Sequence, residues 1–164
     1  MIKMLRIDDR LIHGQVAVVW SKNLGVSRIM VISDEVSKNE VQTTALKMAA
    51  PENIKTFILP VDKALTILND PRAEKLSILV VMNNPEEVKK VCEGLTKEAK
   101  PEVLDMANYG RVAGNLDSKK KITDTVYLTD EEEEIFRTLS NEGFKFIYRP
   151  LPSDSSKSFD SLLK

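Results

Sequence analysis

Residues 76 to 82 read Leu-Ser-Ile-Leu-Val-Val-Met, an almost unbroken apolar run. A strand of that kind has no face to offer water, so layers of helix must cover it on both sides. Further short apolar runs, Ile2 to Ile7, Arg28 to Ser33, Ile54 to Leu59 and near Glu102 to Ala107, alternate with amphipathic stretches along the chain. Strand–helix alternation is the mark of a parallel sheet, and it predicts an α/β three-layer sandwich of about seven strands, mostly parallel, with helices on both faces. A length of 164 residues suits one domain covering 1–164.

The helices carry their own punctuation. Val16, Val19, Trp20 and Leu24 fall on one helical face that Gly25 stops. Ser37 with Glu40 reads as a capping box, opening a helix that turns Val41, Ala45, Met48 and Ala49 inward until Pro51. A short helix from Val61 to Leu68 closes at Asn69-Asp70-Pro71, and Pro85 starts another with Val88, Val91, Cys92 and Leu95 on one face. Thr129 with Glu132 forms a second capping box, where the acidic run Asp130 to Glu134 complements the helix dipole ahead of Ile135, Phe136 and Leu139. Between the fifth strand and the run Ile122 to Leu128 lies only a loop holding Asn108, Tyr109, Gly110, Arg111, Gly114 and Asn115, which predicts an antiparallel member there. A last strand, Phe144 to Arg149, precedes a tail that docks through Phe159, Leu162 and Leu163.

Composition excludes several functions. With 24 Lys plus Arg against 25 Asp plus Glu, the net charge of −1 leaves no cationic excess for a nucleic acid, and Lys119-Lys120-Lys121 is the only basic block. No apolar stretch approaches the ~20 residues a bilayer crossing needs, and no export signal precedes the first strand, so a cytoplasmic location is expected. One cysteine, Cys92, and one histidine, His13, cannot build a zinc cage, and any imidazole chemistry must happen at position 13.

His13 follows the first strand, the end of a parallel sheet where ligands collect and helix amides point at them. Asp8, Asp9, Arg10, His13, Gly14 and Gln15 gather two carboxylates, a guanidinium, an imidazole and a permissive glycine within eight residues. A neutral imidazole nitrogen attacks phosphorus readily, and Arg10 can grip two phosphoryl oxygens at once. The residues alone leave a second reading open, in which His13 is a hydrogen-bonded structural residue and Arg10 an exposed ion-pair partner of Asp8 or Asp9.

The run Arg6-Ile7-Asp8-Asp9-Arg10-Leu11-Ile12-His13-Gly14-Gln15-Val16, with Trp20 after it, resembles the N-terminal signature of IIB components in the mannose/fructose/sorbose family of the bacterial phosphoenolpyruvate-dependent sugar phosphotransferase system. Val31-Ile32-Ser33-Asp34, Ala50-Pro51, Leu128-Thr129 and Leu151-Pro152-Ser153-Asp154 extend the likeness over the whole chain. The resemblance implies that His13 takes a phosphoryl group from a IIA histidine and passes it to a sugar entering through membrane IIC and IID subunits. It implies a cytoplasmic protein held peripherally at those subunits, with Arg10 as anion clamp and Asp8, Asp9, Gly14 and Gln15 in support. No cofactor and no metal are expected, and the pattern leaves self-association open. Many members carry an Asn-x-Gly-Gly turn where this chain has Asn108-Tyr109-Gly110-Arg111, so Arg111 is expected to reach the phosphoryl group or the partner, with Asn108 and Gly110 beside it.

Rival chemistries lack their parts. A receiver-like domain needs an Asp after the third strand and a Lys after the fifth, where Leu59-Pro60 and Ala107-Asn108 stand. No Gly-x-Gly-x-x-Gly or Walker loop follows a strand, and no nucleophile elbow supports a serine hydrolase. The remaining alternative is a non-catalytic regulatory or binding module on the same fold.

Overall fold

The computed structural model describes residues 1–112 and 116–163. Seven strands make the main sheet in the order β3-β2-β4-β1-β5-β8-β9. In chain order the elements begin β1 (Ile2–Asp8), α1 (Gly14–Leu24), β2 (Arg28–Ile32), α2 (Asp34–Ser37), α3 (Glu40–Ala49) and β3 (Lys55–Leu59). They continue with α4 (Val61–Leu68), β4 (Ile78–Met82), α5 (Pro85–Gly94), β5 (Leu104–Asn108), β6 (Lys120–Thr123) and β7 (Val126–Leu128). Last come α6 (Asp130–Asn141), β8 (Phe146–Tyr148) and β9 (Lys157–Ser158). Every residue of β4 is buried, as its apolar run requires, and two cores lie on opposite faces of the sheet. Ala17 and Trp20 of α1, Val36 of α2 and Leu46 of α3 cover one face, while α4, α5, α6 and the tail residues Phe159 and Leu163 cover the other.

Four expectations are corrected. The segment after β5 leaves the main sheet: Ile122 to Leu128 is not one strand but the β6–β7 hairpin, and the antiparallel strand of the main sheet is β9, paired with β8 through Ile147 and Ser158. Ser37 and Glu40 form no capping box, because Ser33 caps α2 and Asn39 caps α3 through its side chain on the Gln42 amide. With that start, α3 turns Leu46 and Thr43 toward the body, and Val41 and Met48, each 80% exposed, face solvent with Ala45 and Ala49. Val19 likewise sits on the open side of α1. Gly114 and Asn115 lie outside the described residues.

β1 runs between β4 and β5. The chain leaves β1 through α1 toward β2 on one side, whereas it leaves β5 through the hairpin toward β8 on the other. The carboxyl ends of β1 and β5 therefore open a crevice of the kind that holds ligands in open α/β sheets.

Candidate phosphoryl-transfer site

Alternation along β1 sorts its residues. Leu5 and Ile7 join the core under α5, while Met4, Arg6 and Asp8 point toward α1. In the parallel register Arg6 stands opposite Asp105 of β5, and a bulge between Ile7 and Asp8 brings Asp8 level with Asn108. The result is a buried chain of bonds. One arm of the Arg6 guanidinium meets Asp8 Oδ2 at 3.1 Å and the other meets Asp105 Oδ2 at 3.2 Å. Asp105 Oδ1 accepts the Arg149 backbone N–H at 2.9 Å. Arg6, Asp8 and Asp105 are all buried, and the Trp20 ring lies 5.6 Å from the Arg6 guanidinium carbon, with Arg149 5.7 Å from the same ring. The Trp20 indole N–H donates to the Pro150 carbonyl at 2.9 Å, which fastens α1 to the start of the tail.

His13 occupies the N-cap position of α1 with an extended backbone, and its Nε2 lies 2.9 Å from the Asp8 Oδ2 that also receives Arg6. Arg6 donates to Asp8 Oδ2 and the Arg10 N–H to Oδ1, so Asp8 is held as an acceptor; a ring nitrogen bonded to it must bring the hydrogen, which assigns the proton to Nε2 and the lone pair to Nδ1. The ring is part-buried, with 19% of the side chain exposed. Among the described residues no side chain caps α1, and its first turn holds no acid, so the positive end of the helix lies beside the ring without a capping group.

The loop is held from both flanks. Asp8 Oδ1 accepts the Arg10 N–H at 3.0 Å, and the Leu11 N–H returns to the Asp8 carbonyl. Leu11, buried, is the one non-glycine residue with positive φ among the described residues, at 59°, a conformation costing about 1 kcal/mol or more. Asp9 Oδ2 gathers the backbone N–H groups of Gly110 (2.8 Å), Arg111 (3.2 Å) and Val112 (3.4 Å), tying the His13 loop to the loop after β5. Burial raises the Asp9 carboxyl above its ordinary value, and those three bonds pull the other way. Gly110 is obligatory there: its φ is +92°, and a Cβ would stand 1.9 Å from the Tyr127 carbonyl oxygen of β7.

Not every expected residue converges. The guanidinium of Arg10 is exposed and makes no ion pair among the described residues, contrary to a pairing with Asp8 or Asp9. Gly14 (φ +47°) and Gln15 are exposed at the helix start. Arg111 donates its guanidinium to the Asp124 carbonyl at 2.8 Å, so it braces the hairpin turn. Asn108 accepts the Asp9 N–H through its backbone, and its side-chain oxygen is buried with no partner among the described residues. Sequence reasoning missed Arg6 and Asp105 as a pair. The signal was there: Arg6 two residues before Asp8 in a strand shares its face, and Asp105 interrupts an otherwise apolar run.

Comparison with known proteins fixes the class. The family described as the sorbose subfamily IIB component of the PTS matches residues 2–164, so the chain belongs to that family and with it to the phosphotransferases of the sugar PTS. A probable phosphotransferase enzyme IIB component of Streptococcus pyogenes is 41% identical over 133 residues, 80% of each chain. The mannose-specific EIIAB component of Escherichia coli is 33% identical over 93% of this chain, which spans 45% of that protein. The crystal structure of the IIBSor domain of the Klebsiella pneumoniae sorbose permease superposes with a TM-score of 0.88 at 31% identity, covering 99% of this chain and 95% of that one.

Proposed function

We propose that His13 carries the phosphoryl group of this IIB component, on Nδ1, between a IIA histidine and the sugar. The observation behind the reading is the Asp8–His13 bond, which holds the proton on Nε2 and leaves Nδ1 as the nucleophile beside the open end of α1. The Nδ1 lone pair attacks phosphorus, the bond from phosphorus to the donor nitrogen breaks, and its electron pair returns to the donor ring. The Nε2 proton stays in place, so the His13 ring turns cationic while phosphorylated, against Asp8. In release the sugar hydroxyl oxygen attacks phosphorus, the bond from phosphorus to Nδ1 breaks with its electron pair returning to the His13 ring, and the hydroxyl proton leaves to solvent.

Arg10 serves as the anion clamp, since its exposed side chain stands three residues before His13 on the same loop. Gly14 and Gln15 start the helix whose amides face the phosphoryl oxygens, while Asp9 fixes the loop. Arg111, with Asn108 and Gly110, borders the docking surface. Residues 1–164 act as a single phosphocarrier domain, cytoplasmic and held peripherally at membrane IIC and IID subunits. A IIA donor fused in the E. coli relative supports a IIA partner for this chain too. No helix among the described residues is long and apolar enough to cross a membrane.

The test is intact-mass analysis of the wild type and of His13→Ala after incubation with phosphoenolpyruvate, the general phosphotransfer proteins and a IIA component. One acid-labile, alkali-stable phosphoryl group on the wild type alone is expected. A phosphoryl group persisting on His13→Ala sinks the assignment.

A further inference from the structure

Behind the His13 ring lies more charge than one histidine needs for orientation. Asp8 by itself would hold the Nε2 proton, yet the fold also buries Arg6 against Asp8 and then Asp105 against Arg6. Arg6 alone would cancel the Asp8 charge. Once Asp105 has released its proton, which burial delays to about pH 7, two carboxylates against one guanidinium leave the cluster with one net negative charge, the charge required to balance a cationic, Nδ1-phosphorylated ring. The remaining cation nearby, Arg149, binds the backbone carbonyls of Pro152 and Asp154 with its guanidinium, gives Asp105 its backbone N–H, and adds a weaker pull of charge on that carboxyl.

We propose that Asp105 is a positioning residue for phosphoryl transfer: by occupying one arm of Arg6 it keeps Asp8 effectively anionic toward His13, and so sets how strongly the chain holds its phosphoryl group. The inference rests on His13 as the carrier. Geometry supports it on three counts. Asp105 is 0% exposed, so its charge acts through little screening water. Both of its oxygens are engaged, Oδ2 by Arg6 and Oδ1 by Arg149 N–H, which fixes its distance from Asp8. Arg6 is clamped between the two acids with the Trp20 ring nearby and only 5% of its side chain exposed, which holds it against Asp8. A purely structural ion pair would predict loss of stability on removal and nothing further.

The test is the phosphoryl equilibrium between this chain and a IIA component that phosphorylates the wild type, read at pH 8 by intact mass with both proteins at known concentration. Asp105→Asn leaves the cluster neutral, and the equilibrium is expected to move about tenfold toward IIA. Arg6→Gln removes the guanidinium that offsets Asp8, so Asp8 faces His13 uncancelled, and the equilibrium is expected to move the opposite way. The double variant, Arg6→Gln with Asp105→Asn, restores one negative charge on Asp8 and is expected to return the equilibrium near wild type. Near-ultraviolet circular dichroism of Trp20 reports folding of each variant. Ring nitrogen shifts of His13 in the unphosphorylated proteins give a second readout: the Nε2–H form is expected to dominate in the wild type and to weaken in Asp105→Asn.

Folded Asp105→Asn with an unchanged equilibrium and unchanged tautomer overturns the inference, as do three variants that all shift in one direction. If Asp105→Asn does not fold, the comparison of Arg6→Gln with the double variant carries the same sign test. Absence of phosphorylation on His13 in the wild type is a separate outcome, which defeats the carrier reading and not merely the role of Asp105.

Discussion

His13 divides its own site into two unlike halves. Arg6, Asp8 and Asp105 are buried and joined with the ring at 2.9 to 3.2 Å, whereas Arg10, Gln15 and Arg111, on the flanking loops, are exposed. Arg6 and Arg10 sit four residues apart in one motif, and the fold uses them for opposite purposes. Charges fixed in a dry interior stabilise a developing charge without having to reorganise at the moment of transfer. Exposed charges do less in the resting protein, on the order of 1 kcal/mol or below, but they can close on two different partners in turn. A carrier that must accept from one protein and deliver to another acceptor needs both halves.

That contrast breaks most severely at Arg6. Arg6→Ala leaves two buried carboxylates without their shared cation, and a loss of about 3 to 5 kcal/mol in urea unfolding is expected. Arg10→Ala should do the reverse: unfolding within about 0.5 kcal/mol of wild type, and single-turnover transfer from IIA slowed roughly 10- to 100-fold. Equal transfer rates would remove Arg10 from the mechanism. Gly110→Ala tests the tie between the halves, because its Cβ would meet the Tyr127 carbonyl oxygen at 1.9 Å and its φ of +92° suits glycine. Displacement of the hairpin should free the Asp9 carboxylate and destabilise the chain by roughly 2 kcal/mol, with loop amides losing protection in hydrogen exchange.

Protonation sharpens the same comparison. Burial, opposed by Arg6 and the Arg149 N–H, pushes the Asp105 carboxyl from 3.8 up to about 7. Between those values the folded chain keeps a proton that the unfolded chain releases. The stability this group contributes is therefore full below about pH 4 and is lost as pH rises through 7. Wild type should lose roughly 2 kcal/mol more than Asp105→Asn between pH 5 and pH 8 in urea unfolding; parallel curves would place Asp105 in a better-solvated state than the fold suggests.

Much of this was legible in the sequence, for identifiable reasons. Strand–helix alternation gave the layers because burial on two faces leaves a continuous apolar run at β4, and the motif around His13 drew attention to the loop after β1 because it gathers two carboxylates, a guanidinium and an imidazole within eight residues. What stayed hidden depended on register and on competing caps. Asn39 outcompeted the Ser37–Glu40 box by bonding the Gln42 amide, and α3 docks on the body through Leu46, which leaves Val41 and Met48 to water. The hairpin β6–β7 was missed because its turn, Asp124-Thr125, is stabilised by tertiary bonds: Thr125 Oγ1 donates to the Ala107 carbonyl at 2.7 Å, and the Tyr109 N–H donates to the Thr125 carbonyl. Arg6 and Asp105 meet only because β1 and β5, about a hundred residues apart in the chain, lie side by side.

The smallest effect is expected at Arg111. Arg111 gives its backbone N–H to Asp9 and its guanidinium to the Asp124 carbonyl, so it serves the tie between loops with one group and the hairpin with the other. Arg111→Gly keeps the backbone N–H and removes only the exposed guanidinium, so stability should change by about 0.5 kcal/mol or less. Any consequence must then appear in docking. A charged side chain on the rim steers encounter with an acidic partner, and its loss should lower the second-order rate with IIA by about two- to fivefold at low salt, with little change at high salt. A rate unchanged at every ionic strength would confine Arg111 to bracing the hairpin and leave the front of His13 to Arg10 alone.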